Sequence, residues 1–383
     1  MLQNAISLTK TLVEMPTIST DSNLSAITFL QDYLQELGAK VEVTKDATGS
    51  KANIFATLGP DIDGGIVLSG HTDVVPVAGQ EWSSDPFILR QQDGKLFGRG
   101  TCDMKGFIAC SLAYAAEIKP ENLKKPLHFA FTYDEETGCL GARVMLDALK
   151  SSGRKPAICI IGEPTGMRVI EGHKGCCENT TRFGGLEGHG SLPSAGVNAV
   201  EYAARYISEL LEIGQELQGR TPPNSPFEPP WTTINVGAIR GGVAHNVIPN
   251  TCEIEWEFRP VNADDKFFVR RRINNFASDT LLPEMQKSWP LATLENEVVG
   301  DVDGLMPVEN SQAVALVQAL TGENSVTTVP FGTEAGLFQK LGISTVVCGP
   351  GHIAQAHKPD EFVEVSELEK CLKMLGGLTS RLT

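Results

Sequence analysis

Apolar residues recur at helical spacing over residues 1 to 14 (Ile6, Leu8, Leu12, Val13) and 22 to 38 (Leu24, Ile27, Leu30, Leu34, Leu37). The second segment opens at Asp21 or Ser22 and closes at Gly38. Beyond it the apolar runs shorten. Val41–Val43, Asn53–Leu58 and Ile66–Ser69 are separated by Gly, Pro and Asp, which predicts short strands with the first helices laid against their sheet. Gly98–Gly106 then opens a helix carrying Phe107, Ile108, Ser111, Leu112 and Ala115. The strand Leu127–Tyr133, a helix from Gly141 to Lys150 and the strand Ala157–Ile161 follow. That last run is almost continuously apolar, as strands covered on both faces are.

From about Glu178 to Leu291 the pattern changes. A strand over Thr180–Phe183 leads to a long amphipathic helix, Val197–Gln218, and a proline-rich loop over Thr221–Pro230. Strands are predicted at Thr232–Ile239 and Asn250–Arg259, the second alternating Cys252, Ile254, Trp256 and Phe258 with Glu253, Glu255, Glu257 and Arg259, the signature of a sheet covered on one side. A helix from Asp264 to about Phe276 fits a β-α-β-β-α-β unit of ferredoxin-like type, residues 178–291, inserted between two parts of an α/β domain, residues 1–177 and 292–383. The α/β pattern resumes with a helix near Asn310–Leu320, a strand Val326–Val329, a helix Glu334–Leu341, a strand Ser344–Cys348 and a last helix from Ser366.

A chain of 383 residues is long for a single core, in keeping with two domains. Its 47 acidic against 32 basic residues give a formal charge of −15, which disfavours nucleic acid and anionic membrane surfaces as partners. No apolar run approaches the roughly 20 residues of a membrane span, and the start lacks a signal-peptide pattern, so a cytoplasmic location is expected. The nine cysteines, odd in number and without CxxC spacing, are expected to be reduced and mostly buried.

The chemistry-bearing residues gather where apolar strands end. Ile66-Val67-Leu68 empties into Ser69-Gly70-His71-Thr72-Asp73, pairing an imidazole with a carboxylate that can orient it. A turn histidine is the plain alternative. Asp103 stands at the mouth of its helix, where an N-cap role is equally open. The strand Leu127–Tyr133 ends in Asp134-Glu135-Glu136, adjacent carboxylates that repel unless solvated or facing a cation. Glu163 follows Ala157–Ile161, and His352 and His357 follow Ser344–Cys348. If these strands are parallel, topology delivers His71, Glu135, Glu136 and Glu163 to one edge of the sheet. Imidazoles and carboxylates without thiolates suit zinc at a hydrolytic site, or a related divalent ion.

SGHTDVVP, GRGTCDMKG, TYDEETG, IGEPT and AHKPDE, in this order, resemble the motifs of the dinuclear zinc amidohydrolases and peptidases, a family that includes acetylornithine deacetylases, succinyl-diaminopimelate desuccinylases, aminoacylases and glutamate carboxypeptidases. The resemblance spans nearly the whole chain. It implies an α/β/α zinc-peptidase-like catalytic domain with an inserted α+β lid that also dimerises. It further implies two Zn2+ per subunit, with Co2+ or Mn2+ as substitutes. Asp103 would bridge them, with His71 and Glu163 on one ion and Glu136 and His357 on the other. Glu135 would be the general base, passing a proton from the attacking water to the leaving amine, and Asp73 would orient His71. His189, in GLEGHGS, matches the histidine that stabilises the oxyanion in the partner protomer's site.

Phe331–Phe338 looks like the acetylornithine branch of that family, which implies N2-acetyl-L-ornithine as substrate and a place in arginine biosynthesis. Gly332, Thr333 and Glu334 would then contact substrate, Glu334 meeting the distal ammonium, with Asn246 and Arg259 near the α-carboxylate. Pairing with Glu257 is the alternative for Arg259. A desuccinylase or broader N-acyl-amino-acid amidohydrolase is the runner-up, and a catalytically silent binding relative the alternative of another class. No ligand position is missing.

Overall fold

The computed structural model describes residues 1–383, which divide into two compact units. The larger comprises Met1–Gly172, Leu305–Val329 and Thr333–Thr383, and the smaller His173–Gly304 with Pro330–Gly332.

An eight-stranded sheet organises the larger unit, in the order Lys40–Lys45, Ala52–Leu58, Leu127–Thr132, Ile66–His71, Ile158–Pro164, Ser344–Gly349, Ile170–His173, Thr327–Val329. Its four central strands, from Leu127–Thr132 to Ser344–Gly349, run parallel. Their carboxyl ends therefore open on one edge, the place where open α/β sheets bind ligands. Ser69 pairs with Ile161, so His71 and Glu163, each two residues on, come out level.

The helix Lys105–Ala115 is buried along its whole length, which explains why its sequence is apolar all round. Helices Leu2–Val13 and Val365–Leu382 pack on it, and Gln312–Thr321 packs on the latter. The helix also presses directly on a strand. A Cβ at Gly162 would lie 1.9 Å from the Phe107 ring, so only glycine lets the strand that carries Glu163 lie against it.

In the smaller unit an antiparallel sheet runs in the order Thr233–Gly241, Thr251–Arg259, Cys176–Gly184, Thr293–Val302. The helices Ala199–Gly219 and Ala263–Phe276 lie over the buried side chains Cys252, Ile254, Trp256 and Phe258. Asn198 and Asn262 cap these helices with their side-chain oxygens. The connectivity is ferredoxin-like, but its last strand, Thr293–Val302, lies beyond the boundary expected at residue 291. Eight of that strand's ten residues are exposed or half-exposed on an edge, leaving little apolar signal to mark it.

All nine cysteines are free, and only Cys176 is not buried. No helix is long and apolar enough to cross a membrane.

Candidate metal centre

Four strand ends and the loops beyond them bring His71, Asp103, Glu135, Glu136, Glu163 and His357 together in the larger unit. Asp103 lies at the centre. One of its oxygens is 3.0 Å from His71 Nε2 and the other 3.3 Å from His357 Nε2. Glu163 Oε1 stands 3.8 Å from His71 Nε2, and Glu136 Oε1 is 3.1 Å from His357 Nε2. Two overlapping trios, His71-Asp103-Glu136 and His71-Glu135-Glu163, each have donor atoms within 4.8 Å of one another. Asp103 does not cap the following helix, whose cap residue is Met104, so its carboxylate is free to face both imidazoles.

The tautomer of His71 follows from its surroundings. Nδ1 lies 2.9 Å from the backbone carbonyl of Asp73, which can only accept, so Nδ1 carries the proton. Nε2 then points a lone pair at an Asp103 oxygen, two acceptors face to face unless a proton or a cation sits between them. Separations of 3.0 to 3.8 Å among these donors are close to the edge of about 3.4 Å that a tetrahedron with ~2.1 Å arms would have.

Burial and crowding shape the acidities. Desolvation pushes Glu135 and Glu163 well above the usual carboxylate range and raises Glu136 as well, with neighbouring carboxylates adding to the shift. Burial also works against Asp103, but hydrogen bonds to His357 and His71 hold its carboxyl below its ordinary value. Contact with Asp103 and Glu136 raises His357 to about 10. Such a group of carboxylates must bind protons or cations, and its all-imidazole and carboxylate donor set fits zinc-like divalent ions.

Asp73 and Glu334 make contacts that the sequence does not show. The Asp73 carboxylate, expected to orient His71, has an oxygen 3.6 Å from Nδ1, and the Asp73 backbone carbonyl accepts from the same nitrogen at 2.9 Å. The carboxylate accepts hydrogen bonds from Ser19 Oγ at 2.7 Å, Glu135 N at 3.1 Å and Glu136 N at 3.4 Å, so it pins the turn bearing both glutamates. Glu334, expected to meet a substrate ammonium, is 1% exposed and accepts from the hydroxyls of Ser69 and Thr132.

The remaining expected substrate residues are distributed as follows. Thr333 is buried and its hydroxyl accepts from Ala335 N, while Gly332 is half-buried in the smaller unit. His189, also in the smaller unit, is exposed with Nδ1 2.7 Å from Ser191 Oγ. Asn246 is exposed, its carbonyl accepting from Gly190 N, and Arg259 pairs with Glu257 at 2.8 Å.

Sequence reasoning passed over Glu361 and Arg99, both 1% exposed and joined at 2.7 Å beneath the Asp103 loop. Arg99 lies between two glycines and Glu361 beside Asp360, which reads as solvated surface.

Residues 67–381 match the model of peptidase family M20/M25/M40. The chain belongs to this family. It is a hydrolase homologous to acetylornithine deacetylase, being 37% identical over 366 residues to that enzyme from Shigella sonnei (strain Ss046), covering 94% of this chain and 92% of the other. Among solved structures, an M20 family metallo-carboxypeptidase from Sulfolobus solfataricus superposes with a TM-score of 0.77 at 18% identity, over 98% of each chain. A dinuclear metal-binding M20 peptidase from Bacillus subtilis gives 0.64 at 16% identity, over 99% of this chain and 97% of that one. These two likenesses concern the M20 fold.

Proposed function

We propose that this M20 hydrolase removes the N-acyl group of N2-acetyl-L-ornithine, giving ornithine and acetate, with two divalent ions, zinc foremost, held by His71, Asp103, Glu136, Glu163 and His357. The observation that carries the reading is Asp103, whose two oxygens each face a different imidazole. Bound there, a metal pair polarises a carbonyl and lowers the pKa of water towards about 7. Glu135 takes the proton of the attacking water and delivers it to the leaving amine, a role served by the upward shift that burial gives its carboxyl. Asp73 holds the Glu135 and Glu136 backbone in register for that transfer.

The identity to the Shigella enzyme supports the choice of acyl amino acid. Asn246 and Arg259 are assigned to the substrate α-carboxylate, Gly332 and Thr333 to the backbone turn beside it. His189 is assigned to the oxyanion in a partner protomer, in a cytoplasmic homodimer formed through the smaller unit. Mixing His189→Ala with Glu135→Ala protomers should restore activity; proven heterodimers without activity would remove that assignment.

Metal analysis paired with kinetics on N-acetylornithine, N-succinyl-diaminopimelate and N-acetylmethionine tests the whole. Two ions per chain and the highest kcat/KM on N-acetylornithine are expected. A preference for the succinylated compound would overturn the substrate.

A further inference from the structure

Asp103 and His357 sit on loops far apart in sequence, and His357 has little packing of its own. Its side chain is 52% exposed and its φ of +62° lies in the left-handed region, which a bulky residue holds only where its surroundings impose it. What imposes it lies just beneath. Glu361 Oε1 accepts from Cys102 N at 2.9 Å and Asp103 N at 3.1 Å. Oε2 accepts from Gly100 N at 3.1 Å and from Arg99 Nη1 at 2.7 Å. The same guanidinium donates to the Lys358 carbonyl at 3.3 Å and, through Nη2, to Gln80 Oε1 at 2.6 Å. Gln80 Nε2 in turn donates to the His357 carbonyl at 2.9 Å. Backbone groups of both loops, Gly100 N, Cys102 N and Asp103 N on one and the Lys358 and, through Gln80, His357 carbonyls on the other, are thus tied to one buried ion pair.

We propose that Glu361 and Arg99 are positioning residues that fix the spacing of Asp103 and His357 by clamping the two loops together, and so set the affinity of the metal position that His357 completes. Both Glu361 oxygens are taken up by the Asp103 loop and Arg99. A buried pair with every oxygen satisfied is rigid, whereas a single amide in place of the carboxylate turns a donor towards Gly100 N and Arg99. The larger effect should fall on the position that His357 completes, because Asp103 serves both positions whereas His71 is held independently by its own strand and the Asp73 carbonyl.

The proposal rests on the two-ion reading above, and the test separates the two. Metal-free protein is titrated with Co2+ and followed by visible absorption and calorimetry, with His357→Ala as the reference for a chain lacking that position. For Glu361→Gln, confirmed folded by circular dichroism, one equivalent should weaken about tenfold or more and the other markedly less. Gln80→Ala, a milder change outside the ion pair, should weaken the same equivalent by about threefold. Unchanged binding of both equivalents, or equal weakening of both, in the folded Glu361→Gln chain or in Gln80→Ala would overturn the clamp while leaving the metal reading intact. A wild-type chain that takes up no Co2+ would overturn the metal reading, and the clamp with it.

Discussion

Replacing Asp73 by Asn separates two ways in which this residue could serve the site. In the wild type its carboxylate receives three donors, Ser19 Oγ, Glu135 N and Glu136 N, while its backbone carbonyl alone reaches His71 Nδ1 within hydrogen-bonding distance. The amide retains one oxygen and brings an NH2 to the place of the other. Ser19 can rotate to accept from that group, but a backbone N–H of the Glu135-Glu136 turn cannot. One hydrogen bond to a charged acceptor is therefore lost, worth about 1.5–3 kcal/mol. If that energy appears in the placement of Glu135 during reaction, kcat should fall roughly ten- to hundredfold, at about 1.4 kcal/mol per factor of ten. Metal affinity should stay within about threefold, because the bond that orients His71 comes from the main chain. The assay is kcat and KM on N-acetylornithine beside a Zn2+ competition titration. Wild-type kcat, or metal loss that accounts for the whole decrease in activity, would refute the reasoning and return the carboxylate to the imidazole.

Three further outcomes follow from the same geometry. Glu135→Gln should keep its metal and lose about 10²- to 10⁴-fold in turnover, and an active, metal-replete variant would remove Glu135 from the proton transfer. Gly162→Ala places a methyl 1.9 Å from the Phe107 ring and should cost about 1–3 kcal/mol in chemical unfolding; an unchanged midpoint would show that the helix can step aside. Burial takes His128 from 6.5 down to about 4, so the unfolded chain binds a proton there that the folded chain refuses. Its contribution to stability is present above pH 6.5 and is lost as the pH falls towards 4, up to about 3 kcal/mol at 1.36 kcal/mol per unit. His128→Gln should flatten the acid limb of the stability profile by that amount, and an unaltered limb would contradict the assigned acidity.

Much of the larger unit was legible because its strands are covered on both faces and write themselves as apolar runs, with His71, Glu135 and Glu163 following directly on them. Their convergence required only that the strands be parallel, as they are. Other features left no such trace. Thr293–Val302 is a polar edge strand, and the three-stranded sheet of Arg90–Gln92, Lys95–Phe97 and Phe362–Glu364 is built from segments too short to show a period. Glu334 and Glu361 are charged residues made tolerable inside the protein by partners distant in sequence, such as Ser69 for the first and Arg99 for the second. Only a fold reveals such pairs. The main-chain contact of Asp73 to His71 was hidden for a related reason, since sequence shows which side chain is near the imidazole but not that the backbone carbonyl also reaches it.

The strand Ile158–Pro164 lies beside Ser344–Gly349 in the central sheet, and Thr165 and Gly349 hydrogen-bond across 184 residues of intervening chain. A nascent polypeptide therefore emerges with its three acidic ligands, Asp103, Glu136 and Glu163, well before the partner strand that completes their platform. Contacts of such long sequence separation slow folding and lengthen the time for which an unpaired strand edge is open to aggregation. The intervening segment carries its own sheet and core, so it can form locally while the first part waits. The rate at which this chain matures should thus depend on about the last tenth of its translation, and a ribosome-stalled product ending before Ser344 should remain protease-sensitive around Ile158–Pro164.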